Sequence, residues 1–109
     1  MRIEASFASI VSENHSSGNV QAGIVGKGII SHNIVFANTG DGIQLAQHGS
    51  TVIGNSVTNN GGYGLRSNGS NYRTIYTQNV FDGNTGGTIL DSAAVSLPAL
   101  SNMCNGAAC

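Results

Sequence analysis

The chain carries very little charge. Lys, Arg, Asp and Glu make up 8% of its 109 residues, and the formal net charge is -1. Such a surface has nothing to draw in nucleic acid or anionic lipid, so neither is expected as a partner. No apolar run approaches the roughly 20 residues that span a bilayer, which argues against membrane insertion. The opening "MRIEASFASIVSEN" is interrupted by acidic residues and lacks an apolar core, so no secretory signal is read in it. There is no Trp and a single Pro. The only cysteines are Cys104 and Cys109, in the tail "NMCNGAAC". They are expected to close a small disulfide loop, as suits an oxidising compartment, with two free thiols as the alternative.

Glycine and asparagine are plentiful: 16 Gly and 13 Asn stand among 39% hydrophobic residues. That mixture fits neither a helical bundle nor a disordered tail and reads as a turn-rich β protein. The length gives one domain, residues 1–109.

The asparagines are periodic. From Asn14, Asn33, Asn55 and Asn79, a second Asn follows five positions on in every case, as Asn19, Asn38, Asn60 and Asn84. Nine positions after each first Asn stand Gly23, Gly42, Gly64 and Thr88, each followed by an aliphatic residue: Ile24, Ile43, Leu65 and Ile89. Repeats of roughly 20 to 50 residues mark stacked architectures. Val11, Ile30, Val52 and Tyr76 precede the first Asn by three positions, and Ser16, Val35, Val57 and Phe81 follow it by two. Strand alternation sends these residues inward. Tyr76 is the weakest member, because Ile75 could take its slot through a bulge.

Equivalent residues of stacked coils lie about 4.8 Å apart. An Asn amide at that spacing donates to one neighbour and accepts from another, and Asn tolerates the left-handed backbone of a sharp corner. The expected fold is therefore all-β: a right-handed parallel β-helix of about four coils over residues 8–91, with Asn ladders at one corner. After Asp91 the repeat stops, and residues 92–109 read as a C-terminal cap over the open sheet edge. No such element is read at the front, where Ile3, Phe7 and Ile10 stand with few charges. Self-association through the first coil is expected.

Coils reading like "NSVTNNGGYGL" resemble the short repeats of the pectin-lyase-like right-handed parallel β-helix family. The resemblance implies the C-terminal part of a longer solenoid, placed extracellularly, at the cell surface or in the periplasm. Lyases, polygalacturonases, epimerases, tailspikes and sugar-binding proteins share that fold, so it leaves activity open. Resembling lyases hold calcium through Asp clusters beside an Arg or Lys base, and polygalacturonases carry "NTD", "DD" and "GHG" motifs. None of these stands here.

Chemistry is sought where the repeat varies. The interval from the aliphatic slot to the next first Asn grows from 9 to 12 to 14 residues, which makes "AQHGST" and "SNGSNYRT" bulge from neighbouring coils. Gln44, Gln47, His48, Arg66, Tyr72 and Arg73 gather there, and of these Gln44, His48, Arg66, Tyr72 and Arg73 are the candidate ligand-binding residues. A ring stacks on a pyranose while a guanidinium forks onto a carboxylate, which suits a sugar or uronate. Ordinary polar loop surface is the alternative. Glycoside hydrolysis wants two carboxylates roughly 5 to 9.5 Å apart, and only Asp82 and Asp91, with Arg66 at the same edge, offer weak catalytic candidates. Asp41 reads as a turn former. Glu13, His32 and Gln78 occupy one slot before the first Asn, but Gly54 interrupts them and no metal site is expected.

The function read from these features is a noncatalytic extracellular or cell-surface solenoid associated with carbohydrate, with a polysaccharide as partner and no cofactor. One alternative is a polysaccharide lyase or glycoside hydrolase acting on uronate polymers, with calcium if a lyase. The other is a structural, self-assembling solenoid.

Overall fold

The computed structural model describes residues 2–4, 9–45, 50–67, 74–91, 97–98 and 102–108. These form only strands, turns and bends. A front layer holds β1 (Ile3–Glu4), β2 (Ser9–Ser12) and β3 (His15–Ser17). Three complete coils follow: β4 (Ile24–Gly26), β5 (Gly28–Ser31) and β6 (Ile34–Phe36); β7 (Ile43–Leu45), β8 (Thr51–Ile53) and β9 (Ser56–Thr58); β10 (Tyr63–Ser67), β11 (Ile75–Thr77) and β12 (Val80–Asp82). A rear layer adds β13 (Gly87–Asp91), β14 (Leu97–Pro98) and β15 (Met103–Cys104), and β16 (Ala107–Ala108) folds back on β15.

Each coil contributes one strand to each of three parallel sheets, so the fold is the parallel β-helix that the repeat predicts. The first sheet runs β1-β4-β7-β10-β13, the second β2-β5-β8-β11-β14 and the third β3-β6-β9-β12-β15-β16. Registers keep the repeat slots in line: Ile24, Ile43, Leu65 and Ile89 pair in the first sheet, Val11, Ile30, Val52 and Tyr76 in the second, and Ser16, Val35, Val57 and Phe81 in the third. These columns build the core. Ile24, Ile43, Leu65, Ile30, Val52, Val35, Val57 and Phe81 are buried, and Ile89 and Tyr76 pack against them. Tyr76 holds its slot directly opposite Val52 while Ile75 faces out, so the coil needs no bulge there.

The asparagines occupy two corners, where one was expected. Asn14, Asn33, Asn55 and Asn79 line the corner between the second and third sheets, and Asn19, Asn38, Asn60 and Asn84 line the next corner, after the third sheet. In both ladders the side-chain Nδ2 donates to Oδ1 of the Asn in the following coil, at 2.8 to 3.2 Å. Nδ2 also reaches back to a carbonyl of the preceding coil: Asn33 to Val11, Asn55 to Ile30, Asn38 to Ser16 and Asn60 to Val35. The backbone N–H of each of these asparagines, which sits where the chain turns and has no sheet partner, is satisfied by the same Oδ1 atoms.

The left-handed residue at each corner is the one before the ladder Asn. Glu13, His32, Gly54 and Gln78 take φ values of 57, 54, 68 and 56°, and Gly18, Ala37, Asn59 and Gly83 take 69, 57, 56 and 66°. That conformation turns the backbone so the next side chain, the Asn, points into the stack. Glycine at the slot before Ile24, Ile43 and Leu65 has a different cause. A Cβ on Gly23 would lie 2.5 Å from Val35 Cγ1, and one on Gly64 would lie 2.8 Å from Phe81 Cδ1. The core side chain of the third sheet occupies that space.

The repeat does not stop at Asp91. Asn102 is a further rung, accepting at Oδ1 from both the backbone N–H and Nδ2 of Asn79 (3.1 and 3.0 Å) and donating to Tyr76 O. Residues 92–109 therefore include a rear layer in register with Ile75, Val80 and Phe81, closed by the β15–β16 hairpin. Pro98 stands on the edge strand β14, where a missing N–H costs no ladder bond. No free cysteine occurs among the described residues, and the expected pairing of Cys104 involves Cys109, which lies outside them.

Candidate functional site

The corner between the second and third sheets always spans residues such as 32–33, 54–55 and 78–79, fixed by the ladder. The corner between the first and second sheets is free of that constraint. Only Lys27 links β4 to β5, whereas residues 46–50 link β7 to β8 and residues 68–74 link β10 to β11. The variable segments therefore all leave the same end of the first sheet. Gln47, His48, Tyr72 and Arg73, singled out from the sequence, lie outside the described residues.

Gln44 and Arg66 are brought together. They are register partners on β7 and β10, on the outer face of the first sheet, in a column with Val25 and Leu90. Arg66 is held by a residue that the sequence marked only as a turn former. Asp41, 8% exposed at its side chain, places Oδ2 2.9 Å from Arg66 Nε as an ion pair, without the alignment of a hydrogen bond. Its Oδ1 accepts the Tyr63 N–H at 2.7 Å. A Cβ on Gly62 would collide with that same Oδ1, so glycine there makes room for the carboxylate.

Tyr63 completes the arrangement, because the Arg66 guanidinium lies over its ring at 5.4 Å from the centroid. Strand alternation would put residues three apart on opposite faces. Gly64 and Leu65 are both buried, however, and the irregular start of β10 returns Tyr63 and Arg66 to one side. The partnership of Asp41 with residues 22 and 25 positions later depends on coil register, and no local signal in the sequence could reveal it.

Beside this cluster runs an open groove of about 430 Å³ lined by Val20, Gln21, Ala22, Thr39, Gly40, Asp41 and Gln44. A second hollow adjoins it at Val20 and Gln21 and extends to Asn19 and Arg2, whose guanidinium donates to Gln21 Oε1. The lining offers two carboxamides, a hydroxyl and a carboxylate over a floor of small residues.

The catalytic candidates are not gathered. Asp82 ends β12 of the third sheet and is exposed, whereas Asp91 ends β13 of the first. Asp82 and Arg66 therefore belong to different sheets and do not share an edge, contrary to the expectation. The strand register sets Asp91 opposite Ser67, one position beyond Arg66.

A protein-family model described as periplasmic copper-binding protein (NosD) matches residues 1–95. The chain belongs to the NosD family. No curated protein and no solved structure matches it. The NosD family is periplasmic and built on the right-handed parallel β-helix, which agrees with the compartment and the fold expected from the sequence. The family description raises copper, which favours imidazole and sulfur ligands. Among the described residues no three His, Cys, Asp or Glu converge as a metal would require. His15 packs against Phe36 with ring centroids 5.0 Å apart, on the third sheet. His32 lies at the first-ladder corner, its ring over Gly54, within 3.0 to 3.7 Å of where a Cβ would stand. These residues of the NosD-family chain do not fit a copper centre.

Proposed function

We propose that this NosD-family solenoid is a noncatalytic periplasmic module that binds a saccharide on the outer face of the first sheet. The observation carrying this reading is the juxtaposition of Gln44 and Arg66, adjacent on the sheet, with the groove lined by Gln21, Thr39 and Asp41. Carboxamides and hydroxyls supply the paired donors and acceptors that sugar hydroxyls require, and a guanidinium stacked on an aromatic ring adds a flat, rigid donor. Binding draws on no cofactor. The likeness to pectin-lyase-like solenoids is part of this proposal.

Two considerations favour binding over turnover. Asp41 is already engaged by the Tyr63 N–H and Arg66, and Asp82 sits on another sheet. Calcium-dependent release of unsaturated products from uronate polymers is the outcome that would replace this reading with a lyase. The test is calorimetric titration with a panel of oligosaccharides, with and without calcium. The double variant Gln44→Ala, Arg66→Ala is expected to lose binding of whichever oligosaccharide is found. Unchanged affinity in that variant would remove the first-sheet face as the site.

A further inference from the structure

We infer that Arg66 makes the first-sheet face selective for acidic sugars, acting as a preset fork for the carboxylate of a uronate unit. The inference rests on the saccharide-binding reading and adds the ligand class. A flexible surface Arg loses side-chain entropy when it closes on an anion, which offsets much of the attraction. Arg66 is constrained beforehand. Its Nε is held against Asp41 Oδ2 and its guanidinium lies over Tyr63. Asp41 is itself buried and fixed through Oδ1 by the Tyr63 N–H. The anchor therefore belongs to the fold and not to a mobile loop.

Anchoring through Nε leaves the two Nη groups, which make no hydrogen bond among the described residues. The side chain is 36% exposed, so these donors reach solvent on the outer face of the sheet. Two parallel N–H groups in one plane match the two oxygens of a carboxylate. Gln44, on the neighbouring strand, stands where the sugar hydroxyls of the same unit would fall. Asp41 compensates the guanidinium charge, so the pair is selective by geometry and not by a broad positive field, in keeping with a formal net charge of -1.

The test compares two probes, tetragalacturonate and its fully methyl-esterified form, titrated into the intact chain. The esters keep the ring hydroxyls and abolish the carboxylates. The acid form is expected to bind more tightly by about tenfold or more, as one charge-assisted bidentate contact contributes. Arg66→Gln should bring the acid form down to the affinity of the ester. Arg66→Lys, which keeps the charge and loses the planar fork, should recover only part of the preference. Gln44→Ala should weaken both probes alike. Equal binding of acid and ester by the unmodified protein overturns the inference and leaves saccharide binding standing. Binding of neither probe, together with no binding across the neutral oligosaccharides, overturns both. Full recovery by Arg66→Lys would show that charge alone is read, and the fork is then wrong.

Discussion

An interior ladder asparagine serves three coils at once. Asn55 donates its backbone N–H and Nδ2 to Asn79 Oδ1, sends Nδ2 back to Ile30 O, and accepts at Oδ1 from the N–H and Nδ2 of Asn33, with every distance at 2.9 or 3.0 Å. It is 1% exposed. Asn55→Ala would leave the Asn33 N–H buried without a partner and break the column between Asn33 and Asn79, so a loss of about 1 to 3 kcal/mol is expected in chemical denaturation. The side chain of Asn14, at the front and half-buried, donates to Asn33 Oδ1 and to Ser12 O and accepts from no residue among those described, and Asn14→Ala should cost less. Equal losses at the two positions would contradict the ladder. The residue before the rung behaves differently. Ala37 is exposed at φ 57°, a conformation costing an L residue roughly 1 to 2 kcal/mol that glycine avoids, against about 0.5 to 1 kcal/mol of extra glycine entropy. Ala37→Gly is therefore expected to leave the melting temperature unchanged or raise it, and a clear fall would show that the backbone there is set by something else.

At the scale of strands and coils, the rear layer carries the sharpest expectation. Val80 pairs with Met103, Phe81 with Cys104 and Ile75 with Leu97, and Asn102 closes the first ladder behind Asn79. A chain ending at Asp91 would open the third sheet beside Phe81 and leave Asn79 without its acceptor. It should melt well below the full chain, and an unchanged melting temperature would reduce residues 92–109 to a passive tail. This layer was hidden in the sequence because Asn102 has Ala107, not a second Asn, five positions on. The inward columns were legible because their register follows the Asn interval rigidly. The left-handed slots were not, since Glu13, Ala37 and Gln78 are not residues that choose that conformation. They adopt it because the stacked Asn that follows is worth more than the strain. The same limit hid the Asp41–Arg66–Tyr63 cluster, whose parts meet only once the coils are stacked in register.

Across the whole molecule the ladders have a direction: from rung to rung, the Asn-to-Asn bonds all run from Nδ2 of one coil to Oδ1 of the coil behind it. At the front, Asn14 and Asn19 therefore present Oδ1 atoms that receive no donor among the described residues. The strands β2 and β3 beside them are paired on one side only, and Ile10 on β2 is 71% exposed. Open edges of this kind associate unless charge or a covering element protects them. The isolated chain is expected to show a mass that rises with concentration in light scattering, and Ile10→Lys should suppress the rise. A constant monomer mass would mean that the front edge is covered. All of this depends on two continuous columns of buried carboxamides, and their protons report on them directly. In side-chain amide hydrogen exchange followed by NMR, the Nδ2 protons of Asn33, Asn38, Asn55, Asn60 and Asn79 should exchange far more slowly than those of Asn59, which is exposed beside Asn60 on the second corner. Exchange of the ladder amides as fast as that of Asn59 would contradict the stacked columns and the solenoid built on them.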